Sequence, residues 1–343
     1  MSAAAPPRWR AAAKRVPGVA ALARRLFSPS FEGAWLYRQE VVSWLYDGRL
    51  RRQLPWPLRP FAAWAAVQRP LWDDVVGGRA VLRAGMAVGE RLGMADHARL
   101  DVGPYAVFVS LRDPRLLQVP NELTAASDTR VLAALLGPGD SFVDVGANHG
   151  AFSVVASRLV GPSGAVVAVE PQPRLAALVR RSLEANAPAT SRAVHALALG
   201  DVPGRLRLHV PRGSSGSATL VDGVAGPGWD AVEVEVARLD DAVAWRDLPG
   251  RVVVKLDVEG AEGAVLRGAR AFVAARRPAL VAEVNPSRMA AAGGAGPLLA
   301  LVAELGYDAY AELDAPTDAR PLARLDVGRQ RNVVLWHRDR PRP

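Results

Sequence analysis

The chain has no cysteine. Disulfides, thiolate metal sites and cysteine nucleophiles are therefore excluded. There is no run of eighteen uncharged apolar residues, so no segment reads as a membrane-spanning helix. The N-terminus lacks the apolar core of a secretory signal, so the expected location is the cytoplasm. Lysine is nearly missing: Lys14 and Lys255 are the only two among 43 basic residues. Against such a bias, an interior Lys invites a chemical reason. A desolvated Lys can lose its proton near neutral pH, and Arg cannot.

Acidic residues are scarce in the first part of the chain. Residues 1–100 hold 16 Lys and Arg against 7 Asp and Glu, whereas residues 101–343 hold 27 of each. The whole net charge of +9 therefore sits in the first hundred residues, with six of the nine Trp. This composition break divides the chain into a basic, Trp-rich, mainly helical extension at 1–95, a main domain at 96–338, and a disordered tail at 339–343. The extension suits a lid or a homodimer surface, or a peripheral contact with the anionic inner face of a membrane. No nucleic-acid motif accompanies the charge, so no nucleic-acid partner is expected.

From residue 141 onward, short apolar runs alternate with amphipathic ones. "SFVDVG", "AVVAVE", "AVHALALG", "RVVVKLDVEG", "ALVAEVN", "YDAYAEL" and "NVVLWH" read as strands. "AFSVVASRLV", "RLAALVRRSLEANA", "AEGAVLRGARAFVAARR" and "PLLALVAELG" read as helices. Continuous apolar strands between helices predict an α/β fold, a mostly parallel sheet covered on both faces. "GSSGSATL" joins a strand pair inserted after the third strand and suits a flap.

"DVGANHG", Asp144 to Gly150, closes the first of these strands and opens a helix. Ligands of such sheets lie beyond the carboxyl ends of the strands. Glu170 ends the second strand, where a carboxylate can hold both hydroxyls of a ribose. The glycine spacing is G-x-x-x-G, not the G-x-G-x-x-G that a pyrophosphate needs. Asp144 ahead of the first glycine would repel a phosphate and would attract a cationic amino acid. S-adenosylmethionine fits that pattern better than a dinucleotide.

In order, "DVGANHG", "VEPQP", "ALALGD", "RLDD", "VVVKLDVEGAEGAVLRGA" and "LVAEVN" resemble the FkbM-type S-adenosylmethionine-dependent methyltransferases. The resemblance runs from about Asn121 to His337. It implies a Rossmann-like class I sheet whose last strand is antiparallel, and methyl transfer to an oxygen on a sugar, glycolipid or polyketide-like hydroxyl. It also implies that Asp144, Gly146, Asn148 and Gly150 line the methionine end of the cofactor. Glu170 would hold the ribose and Pro171 would shape the turn, with Ala198 or Asp201 beside the adenine.

The catalytic group is open at this level. In "RVVVKLDVEG", Lys255 and Asp257 point to the same side of the strand. Lys255 can be a neutral amine base or the charge partner of Asp257. Asp257 can bind the cationic amino group or orient the acceptor. Glu259 and His149 are the other candidate bases. No metal site is assigned, although Asp257, Glu283 and Asn285 fall at strand ends with oxygens of the kind that suit Mg²⁺. The alternative to an enzyme is a non-catalytic S-adenosylmethionine-binding scaffold acting through residues 1–95.

Overall fold

The computed structural model describes residues 54–68, 78–124, 126–187, 189–211, 215–221, 225–226, 228–291 and 294–340. The expected extension therefore falls largely outside the described residues, as does the tail from 341. Asp339 and Arg340 are placed: Arg340 is buried, and its Nη1 donates to the main-chain oxygen of Val252 at 2.5 Å.

Thirteen strands are described: β1 (Ala98–Val102), β2 (Tyr105–Val109), β3 (Ser141–Val145), β4 (Ala165–Val169), β5 (Ser191–His195), β6 (Ala198–Leu199), β7 (Gly204–Pro211), β8 (Trp229–Ala237), β9 (Val252–Leu256), β10 (Ala279–Val284), β11 (Tyr307–Glu312), β12 (Arg320–Pro321) and β13 (Arg331–His337). Eight of them form the central sheet in the order β12-β11-β13-β10-β9-β3-β4-β5. The pairs β5–β4, β4–β3, β3–β9 and β9–β10 are parallel. The last strand, β13, runs antiparallel between β10 and β11. This is the expected doubly covered, mostly parallel sheet with its antiparallel last strand.

Alternation along the strands explains the two faces. Phe142, Val166, Val253 and Val281 share one core with the helices Ala151–Val160 and Pro173–Asn186. Val143, Val167, Val254 and Leu280 share the other with the helices Glu262–Arg267, Arg270–Arg276 and Ala295–Glu304. Both faces are buried, so these strands read as unbroken apolar runs.

Two segments depart from the expected pattern. "AVHALALG" is not one strand: β5 stays in the central sheet, whereas β6 pairs with β8 in a separate sheet ordered β6-β8-β7. The break turns the chain into the inserted β7–β8 hairpin, antiparallel over Gly204–Pro211 and Trp229–Ala237. The described residues before 96 also do not stand apart. Leu54, Leu58, Phe61 and Leu82 are buried in the same core as Phe142 and Val154. Among the described residues, packing thus continues across the charge break near residue 100.

Candidate active site at the carboxyl ends of the central strands

The loop after β3 is held from three sides. The amides of Gly146 and Ala147 donate to the oxygen of Val169 at the end of β4, at 3.0 and 3.1 Å. The amide of Asn148 donates to Glu170 Oε2 at 2.9 Å. On the third side lies the end of β9. Gly146 has φ +84°, and a Cβ there would come within 2.0 Å of the Asp257 main-chain oxygen. Its lack of a side chain is therefore demanded by the protein's own backbone rather than by a ligand. Gly150, φ +78°, likewise turns its missing side chain toward Val179, 3.1 Å away, and not toward a ligand.

Around this loop a pocket opens at the ends of β3, β4 and β9. Gly146, Asn148, Glu170, Pro171, Ala198, Asp257 and Glu259 all line it. Arg115, which no motif in the sequence marks, lines it as well, together with Ser215 and Gly216 of the "GSSGSATL" stretch. Ser215 comes from the hairpin loop. Its Oγ accepts from Asn148 Nδ2 at 2.9 Å and its amide donates to Asp113 Oδ2 at 3.1 Å. Thr219 Oγ1 donates to the Glu259 main-chain oxygen at 2.8 Å. The described part of the expected flap is therefore tied to both the loop and the end of β9. Gly216 brings main chain against the Arg115 guanidinium, which is bonded to Glu122 at 2.7 Å.

Five predicted residues do not line the pocket: Gly150 and Lys255, and also Asp144, His149 and Asp201. Asp144 is fully buried behind the pocket lining, where Ser153 Oγ donates to its Oδ2 at 2.6 Å. Burial raises its pKa against the pull of Lys255. His149 is not at the pocket; it is buried, with Nδ1 2.6 Å from Asn148 Oδ1, and burial lowers its pKa. A buried, weakly basic imidazole away from the pocket is a poor general base. Asp201 is bonded to Arg267 Nε at 2.6 Å and borders an adjoining cavity instead of the pocket.

The charged groups order themselves by their neighbours. Lys255 Nζ donates to Asp257 Oδ2 at 3.0 Å and lies 3.8 Å from Asp144 Oδ1 and 5.0 Å from the centre of the Phe152 ring. Burial alone would favour the neutral amine, but Asp257 and Asp144 outweigh it and raise the pKa above that of an ordinary lysine. Of the two roles open to Lys255, this setting favours the charge partner of Asp257 over the neutral amine. Asp257 would be pushed up by burial, yet Lys255 and Arg115 hold it below the usual carboxylate range. Glu170, buried and accepting from the amides of Gln172 and Asn148, is raised to about 7.

Glu259 is raised to about 8, by burial first and then by Asp257 and Glu283, with Arg288 offsetting in part. Arg288 Nε lies 3.0 Å from Glu259 Oε2. The residue has φ +53°, a left-handed conformation that is unusual for Glu. Asp257, Glu259 and Glu283 bring one oxygen each within 4.8 Å of one another. Nearby, Asn285 Oδ1 accepts from the Arg288 amide at 3.4 Å.

Residues 144–309 match the family model of the methyltransferase FkbM domain. No curated protein matches the chain. Among solved structures, the chain is similar to methyltransferase FkbM from Methylobacillus flagellatus KT, at 19% identity and a TM-score of 0.35, over 65% of this chain and 54% of that one. It is also similar to the SAM-dependent O-methyltransferase from Thermotoga maritima, at 10% identity and a TM-score of 0.36, over 73% and 88% of the two chains. M. jannaschii TYW2 in complex with AdoMet is a third, at 11% identity and a TM-score of 0.39, over 69% and 83%. The match spans about half the length of the Methylobacillus protein.

Proposed function

We propose that the chain, whose residues 144–309 match the methyltransferase FkbM domain, methylates a hydroxyl oxygen of a small-molecule or glycan acceptor, with S-adenosylmethionine as the donor. The observation that carries this reading is the division of labour among three carboxylates at one pocket: Glu170 at the end of β4, Asp257 just past β9, and Glu259 two residues further on.

The pocket's donor and acceptor set fits the cofactor. Each oxygen of Glu170 accepts one main-chain amide. A carboxylate oxygen has a second lone pair, and these would take the ribose hydroxyls. Leu197, Leu199 and Val258 offer apolar walls for a planar base. Asp257, kept ionised by Lys255, would face the cationic end. S-adenosylmethionine, when bound, supplies an activated methyl group.

The protein's own task is to bring the acceptor oxygen to that group and to remove its proton. Glu259 has the pKa for this: a base works best when its pKa lies near the operating pH. At about 8 it is a stronger base than an ordinary carboxylate, and a usable fraction is ionised at neutral pH. Lys255, always charged, keeps Asp257 ionised and takes no proton.

The test is a methyl-release assay against a library of hydroxyl acceptors. Glu259→Gln should lower kcat by on the order of 10²–10⁴ with little change in S-adenosylmethionine affinity. The wild-type rate should climb with pH through about 8, where Glu259 ionises, and the climb should be absent in the variant. A Gln variant with the wild-type rate and pH profile would remove Glu259 from the reaction.

A further inference from the structure

Beside the cofactor pocket lies a second cavity of about 430 Å³, within the range of small-molecule sites. Leu199, Leu220 and Ala261 line both, so the two adjoin. Gly260, the residue after Glu259, also borders the second cavity. Its walls are Leu206 and Val236 of the inserted hairpin, and Met289 and Leu298 from beyond β10.

The chemistry of this lining is one-sided. Among the described residues, four charged ones border the cavity, and each has a partner. Arg267 is bonded to Asp201 at 2.6 Å, and Arg205 to Glu233 at 2.6 Å. Glu262 Oε1 accepts from the amides of Val258 and Gly260 at 3.3 and 3.2 Å. Every other lining residue is apolar, Gly or Pro. A charged ligand would find no unmatched counter-charge here, and a polyol would leave its hydroxyls unpaired, which is costly in an apolar site. At the mouth, Val202 is 72% exposed and Leu206 is 49% exposed. Large apolar side chains facing water around a cavity favour an apolar occupant.

We propose that this cavity receives the uncharged, apolar part of the methyl acceptor, an acyl chain or a hydrophobic ring system, while the acceptor hydroxyl reaches toward Glu259. The proposal rests on the methyltransferase reading and narrows it. The acceptor carries a substantial apolar portion and is not a free sugar.

The test uses the neutral fluorescent probe N-phenyl-1-naphthylamine on the full chain, with and without saturating S-adenosylhomocysteine. The probe should bind in both conditions. Ala264→Trp, which fills a position bordering only the second cavity, should weaken probe binding at least tenfold. S-adenosylhomocysteine affinity should stay within about twofold. Leu206→Glu, at a half-exposed site that folding tolerates, should weaken the probe to a similar degree. Displacement of the probe by S-adenosylhomocysteine would overturn the proposal by giving the cavity to the cofactor. Probe binding unmoved by both variants would overturn it by placing the probe elsewhere. Probe binding that responds to both variants in a chain that takes up no S-adenosylhomocysteine would instead overturn the methyltransferase reading and leave the apolar cavity standing.

Discussion

At Lys255 two effects oppose each other, and their magnitudes decide the residue's role. Burial disfavours the charged amine. Against it stand Asp257 at 3.0 Å and Asp144 at 3.8 Å, and a pair about 4 Å apart is worth roughly 4 kcal/mol at an effective dielectric of 20. The carboxylates win, so Lys255 stays charged and cannot accept a proton. Lys255→Arg should therefore keep turnover within about tenfold of wild type, because the charge is retained. Lys255→Met would leave two carboxylates on one face without their cation. Breaking a buried pair in this way costs about 3–5 kcal/mol, to be read as a lower urea midpoint. An Arg variant without activity beside a Met variant of wild-type stability would restore the proton-transfer role. The pairing of Lys255 with Asp257 is legible in the sequence, because alternation places both on one side of the strand. The share of Asp144 is not. It comes from the register of β3 on β9, which sets Asp144 directly beside Lys255, and neither strand encodes that register alone.

At the scale of elements, the loop from Gly146 to Gly150 behaves as a joint between three strands. Gly146→Ala would drive a Cβ to within 2.0 Å of the Asp257 oxygen at a backbone angle that L-residues avoid. We expect a loss of about 2–3 kcal/mol in a denaturation experiment, in line with strain held at a sparsely populated backbone angle. Gly150→Ala should cost less, because its neighbour is the side chain of Val179 and can give way. A Gly146→Ala variant with unchanged stability that fails only to bind cofactor would return this glycine to the ligand side. The strands, both helical layers and the position of the loop were legible because doubly buried strands are apolar throughout and the loop has a fixed place at their carboxyl ends. Arg115 was not. It enters the pocket from a short 3₁₀ segment, outside the repeating strand–helix pattern that made the rest readable. The split of β5 from β6 was hidden for a related reason: an apolar run carries no mark of which sheet it joins.

At the scale of the whole molecule, the pocket stores protonation free energy that pH can release. Burial raises Glu170 and Glu262 to about 7 and Glu259 to about 8, from an ordinary value of 4.5. The folded chain then holds protons that the unfolded chain has lost, and stability falls as pH rises toward those values. His149, His195 and His337 are lowered from 6.5, and they act in the opposite sense below that pH. The window from about pH 6.5 to 8.5 is therefore governed by the carboxylates. The melting temperature should fall across it, and Glu259→Gln should flatten the upper part; a melting temperature that rises across this window would contradict the burial of these groups. The central claim is that Glu170 and the loop after β3 form a site for S-adenosylmethionine. Titration calorimetry of S-adenosylmethionine into the full chain and into Glu170→Ala tests it most directly. The account predicts one equivalent bound by the wild type and binding weaker by about 1.5–3 kcal/mol in the variant, the worth of hydrogen bonds to a charged group. No binding to the wild type, or equal affinity in the two proteins, would contradict it.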